Sequence, residues 1–161
     1  MHFPRGEGVV CERPAPHPAL AVRGPGVTSS SFRPQGAGYA LETARLAGGV
    51  YLQIRHESCL KSSQAFRFHL PKAEVLGEEP SAAYARAAAL FDALAPAGGA
   101  GAPLHGLSVV LSVNAAKGAT APPLGTRIQL DEFQELLVNR QAAHPASAYG
   151  EVLTVLYRLR L

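Results

Sequence analysis

The adjacent glycines Gly48 and Gly49 constrain this chain more than any other feature. Both accept positive φ without a steric penalty, which is what a tight hairpin turn demands of its central residues. After them, Val50, Leu52 and Ile54 alternate with Tyr51, Gln53 and Arg55, the signature of a half-buried strand. Before them, residues 39–47 supply the other arm. A two-residue turn would set Leu46 against Tyr51 and Glu42 against Arg55, an opposite-charge cross-strand pair. That first arm is also rich in helix formers (Ala40, Leu41, Glu42, Ala44, Leu46), with Gly48 placed where a helix C-cap would fall. The hairpin is the reading adopted.

Further along, residues 64–70 alternate Phe66 and Phe68 against Arg67 and His69, and Pro71 closes the run as a third strand. Pro80, preceded by Glu78 and Glu79, opens a helix whose apolar stripe is Tyr84, Ala88, Phe91 and Ala95, widened by Ala87 and Leu94. Residues 97–103 read as a flexible connection. In residues 107–114, Leu107, Val109, Leu111 and Val113 alternate with Ser108, Val110, Ser112 and Asn114, predicting a strand. Residues 115–125 read as a long exposed loop and residues 126–130 as a short strand. Asp131, with Gln134 at the capping-box position, predicts a short helix. Residues 151–161 alternate again and form the closing strand.

Strands and helices do not alternate strictly. The expected architecture is therefore α+β: a mostly antiparallel sheet of about five to six strands with two helices on one face and an extended N-terminal arm. Residues 1–38, punctuated by Pro and Gly, read as that arm, and residues 39–161 as a single domain. A chain of 161 residues can bury a core without metal or disulfide staples. Cys11 and Cys59 are either two free thiols or one bridge pinning the arm to the end of the hairpin. No apolar run reaches a membrane span, and the first ten residues contain no apolar leader core. The expected compartment is the cytoplasm, or the periplasm or exterior if a leader has been removed. The wealth of Ala, Gly, Pro and Arg fits a GC-rich bacterial or phage coding sequence.

Chemistry is sparsely signalled. His56, Cys59 and His69 lie close in sequence but lack the paired spacings of a zinc site, so no metal is expected. Ser58 and Lys61 satisfy S-x-x-K, yet they follow a strand instead of opening a helix. No glycine-rich loop matches a phosphate or dinucleotide motif, so no cofactor is expected. A small hydrolase with Cys59 as nucleophile and His56 or His69 as base is an alternative that rests on residue inventory alone. No catalytic residue is assigned.

The leading expectation is a non-enzymatic protein-binding or assembly module: an adaptor, inhibitor, immunity protein or structural subunit. Its partner would be another protein or a second copy of the chain. Of the 15 basic residues, only Lys61, Lys72 and Lys117 are lysines, a bias toward arginine that protein interfaces share. The contact residues expected are Tyr51, Arg55, Arg67 and Arg158, and a closing strand at a sheet edge would offer pairing to another chain. The other alternative is a single-stranded nucleic-acid binder using arginine and aromatic side chains on a sheet face. The net charge of +3 permits that partner without demanding it.

Overall fold

The computed structural model describes residues 15–21, 26–59, 61–99 and 102–160. Its strands are β1 (Val27–Pro34), β2 (Tyr39–Leu46), β3 (Tyr51–Glu57), β4 (Ser62–Pro71), β5 (Ile128–Gln129), β6 (Gln134–Ala142) and β7 (Tyr149–Leu159). Between β4 and β5 come the helices α1 (Pro80–Leu94) and α2 (Leu104–Ala116). All seven strands join one sheet in the order β1-β2-β3-β4-β7-β6-β5, and each neighbouring pair is antiparallel. The fold is α+β, with a sheet somewhat larger than expected.

The central hairpin forms, but its turn holds three residues, Ala47–Gly49, with Gly48 and Gly49 both at φ 78°. The Leu46 amide donates to the Val50 carbonyl at 2.9 Å. Arg45 therefore faces Tyr51, Leu41 faces Arg55 and Glu42 faces Ile54, so the expected Glu42–Arg55 pair does not exist. Burial explains the slip. Leu46 is buried whereas Tyr51 lies on the opposite, helix-free face, and directly paired residues must share a face. The longer turn keeps Ala40, Ala44 and Leu46 on the side of Leu52 and Ile54. It also turns Glu42 inward.

The core lies between one sheet face and the helices. Proline opens α1, which buries Ala83, Tyr84, Ala87, Ala88, Leu90, Phe91 and Leu94. The Phe91 ring meets Phe66 and Phe68 edge-on, at centroid distances of 4.8 and 5.5 Å. α2 packs alongside α1 and adds Leu104, Leu107 and Leu111 to the same core. Residues 107–114 are thus helical, not the expected strand. Their alternating pattern coincides with a helical stripe at positions 104, 107, 108 and 111, and a helical partner decides between the two periods. Val109 and Val113 consequently stand exposed.

The expected helix after Asp131 is also absent, and β6 begins there instead. Asp131 Oδ1 accepts from the amides of Phe133 and Gln134, each at 2.8 Å. This is the hydrogen bonding of a helix N-cap used to close a turn that enters a strand. β7 lies between β4 and β6, inside the sheet, so its backbone has no free edge to offer another chain.

Within the stretch read as an arm, residues 27–34 form β1 at the sheet edge. Residues 19–21 pack on their own chain. Leu20 bridges Gly98, Ala21 N–H donates to Ala97 O at 2.6 Å, and Gly99 N–H donates to Ala19 O at 2.7 Å. The glycine-rich connection is thus partly an ordered ladder. Beneath it, the Glu42 carboxyl accepts from the amides of Ala19 and Leu20, at 2.8 and 3.0 Å, and from His56 Nε2 at 2.9 Å. His56 Nδ1 lies 3.3 Å from Gln64 Nε2. Glu42, His56 and Gln64 are all buried, so this network fastens the strap from below.

Candidate functional site

With α1 and α2 on one side, strict alternation sends the other half of each strand's side chains to the opposite face, which no helix covers among the described residues. Strand register fixes what stands there. One row across the sheet is Arg45, Tyr51, His69; the next is Thr43, Gln53, Arg67, Thr154. A third row is Leu41, Arg55, Ala65, Leu156, Leu137, and a fourth contains Tyr39, Glu57, Ser63, Arg158, Glu135. Tyr51, Arg55, Arg67 and Arg158, which sequence reasoning singled out, therefore occupy one face. Phe66, Phe68 and Tyr157 point to the other side, as their burial or their contacts record.

The face has an aromatic centre. The Tyr51 ring lies 5.5 Å from His69 and stacks at 6.3 Å on Tyr149, and His69 lies 5.5 Å from Tyr149. The Arg45 guanidinium sits 5.5 Å above the Tyr51 ring, a cation–π contact. His69 Nε2 lies 3.0 Å from Gln53 Oε1, which orients the imidazole. Beside this group a cavity of about 310 Å³ is lined by Ser29, Ser31, Thr43, Arg45 and Tyr51. Ser31 and Thr43 share a hydroxyl hydrogen bond of 2.7 Å within it. Sequence reasoning missed His69 and Tyr149 as parts of this group. Tyr149 reaches the face because the register shifts at Leu70/Pro71, an irregularity with no sequence signal.

The basic groups divide into two kinds. Arg158 and Arg160 approach the buried Glu135 at 3.5 and 3.4 Å, a triplet internal to the protein. Arg33, Arg45, Arg55 and Arg67 make no ion pair among the described residues. Burial, with a smaller contribution from the Arg67 charge, pushes the His69 imidazole below its usual pKa of 6.5. Since the folded value is the lower one, protonation opposes folding here. The stability that neutral His69 contributes is complete above pH 6.5 and is lost as pH falls through the folded value. An NMR titration of the His69 ring should give a midpoint below 6.5, and Arg67→Ala should raise it part of the way. A midpoint at or above 6.5 would contradict the arrangement.

The residues considered for catalysis or metal binding are dispersed. His56 points to the helix side, where Glu42 and Gln64 take its ring nitrogens, while His69 belongs to the open face. Cys59 is held in a disulfide, a state that offers no thiolate nucleophile. Cys11 lies outside the described residues. Among the described residues, no group of three or more His, Cys, Asp or Glu side chains converges as metal ligands. No helix among them is long and apolar enough to cross a membrane. The chain matches no protein-family model, no curated protein and no solved structure.

Proposed function

We propose that the chain is a non-enzymatic protein-binding module whose helix-free sheet face engages its partner. The observation that carries this reading is the convergence of Tyr51, Arg55 and Arg67 on one face with the apolar row of Leu41, Ala65, Leu156 and Leu137. Rigid strands present these side chains at fixed spacings. Tyrosine and arginine are enriched at the cores of interfaces, and here they share one face with that apolar row. An adaptor, an inhibitor or a structural subunit would each use such a face.

Alanine at Arg55 or Arg67 should lower partner affinity by about tenfold or more while leaving the thermal transition nearly in place. Arg158→Ala should cost less affinity, because Glu135 already holds that guanidinium. The direct test is a photo-crosslinking residue at position 55 or, as a control on the helix layer, at position 109, expressed in the cells of origin. Specific adducts from position 55 alone support the proposal. Adducts from position 109 alone would mean that the helices, not the sheet, face the partner.

A further inference from the structure

Resting on that reading, we infer that the partner presents an acidic polypeptide segment carrying apolar side chains, and that it is neither a second copy nor a nucleic acid. The argument begins with charge. Arg33, Arg45, Arg55 and Arg67 stand on one face without a carboxylate partner among the described residues, and Glu57 is the acidic side chain nearest them in the strand register. A guanidinium at an interface is best satisfied by a carboxylate, which takes two parallel N–H donors. Two copies meeting about a two-fold axis at the centre of this face would bring their two arginine clusters together, and juxtaposed like charges disfavour that pairing.

The choice between polypeptide and nucleic acid rests on the rings and the leucines. Single-strand binders need ring faces on which bases can lie. Here Arg45 sits over Tyr51, and Tyr51, His69 and Tyr149 pack on one another, so the exposed Tyr39 is left as a single ring, too few to seat successive bases. The row Leu41, Arg55, Ala65, Leu156, Leu137 runs across five strands, a span of about 19 Å at the usual strand spacing, with leucines at both ends and Arg55 within it. A sugar-phosphate chain would leave those leucines in water. A polypeptide bearing both Leu-like and Glu-like side chains covers the leucines and pairs the arginines within and beside the row at once.

A random peptide display library selected on the full chain tests this, with the Arg55→Glu/Arg67→Glu variant as second bait and labelled oligo(dT) as a separate probe. Binders to the wild-type chain should be enriched in Asp and Glu together with Leu or aromatic residues. They should lose at least about tenfold in affinity on the variant. The variant should select basic peptides instead. Wild-type binders that depend on Arg55 and Arg67 but carry no acidic excess would overturn this inference and leave the proposed binding face standing. Binders indifferent to the double reversal would remove the face itself. Oligo(dT) binding tighter than the selected peptides, or dimers in light scattering that the reversal abolishes, would replace the acidic polypeptide with a nucleic acid or a second copy.

Discussion

Replacing Glu42 with alanine should destabilise the protein by about 3–5 kcal/mol, the usual cost of leaving the partners of a buried charged group unpaired. Three donors converge on this carboxyl: the amides of Ala19 and Leu20 and the imidazole of His56. Glu42 is 1% exposed and His56 3%, so water cannot take over without opening the structure. The effect should have two parts. Urea denaturation should show a lower midpoint, and native-state hydrogen exchange should show the Ala19 and Leu20 amides unprotected. Glu42→Gln retains one acceptor oxygen and should lie between alanine and wild type. An unchanged midpoint with both amides still protected would show that the strap is held by its ladder to residues 97–99 alone.

Phe91→Ala should have a comparable cost, about 3–5 kcal/mol, for a different reason. The ring is fully buried and wedged edge-on between Phe66 and Phe68, joining α1 to the centre of the sheet. Truncation leaves a cavity lined by two rigid rings on a seven-stranded sheet, which cannot collapse into it. Phe91→Leu keeps most of the volume and should cost markedly less. Equilibrium unfolding separates the two variants, and an equal loss for both would mean that the ring contacts, not the filled space, hold the helix.

These two residues also show how far the sequence speaks. Phe91 belongs to a stripe with helical spacing between a proline start and a proline stop, so its burial is legible from spacing alone. Glu42 is not. Its burial follows from a turn one residue longer than the minimal hairpin, and a one-residue change in register moves every side chain of a strand to the other face. The same ambiguity runs through the second half of the chain. Residues 107–114 satisfy the strand period and a helical stripe together, and only the neighbouring α1 decides. Asp131 provides the hydrogen bonds of a helix start, which serve equally well to enter β6. β1, with three consecutive serines, carries too little apolar alternation to announce itself.

The candidate face was legible in part. Tyr51 and Arg55 alternate with a clear apolar set, and Arg67 alternates with two phenylalanines, so each could be placed opposite the core from periodicity. That Arg158 shares their face depends on strand order, because β7 must lie beside β4 for the rows to continue. Long-range pairing of this kind leaves no local trace. Neither does the distinction between Arg158, held by Glu135, and Arg55, which has no such partner among the described residues.

The interior position of β7 governs the order in which the molecule can be assembled. During synthesis β1 to β4 emerge as a simple meander of neighbouring strands, and the helix pair follows, so each of these has its partner close behind it. β5 and β6 emerge next and can pair with each other, but the flank of β4 is reserved for a strand the ribosome has not yet made. Residues 149–159 join the two halves, pairing with β4 on one flank and β6 on the other. Until then the flank of β4 away from β3 is an open edge, the point at which a nascent chain would most need protection from its neighbours.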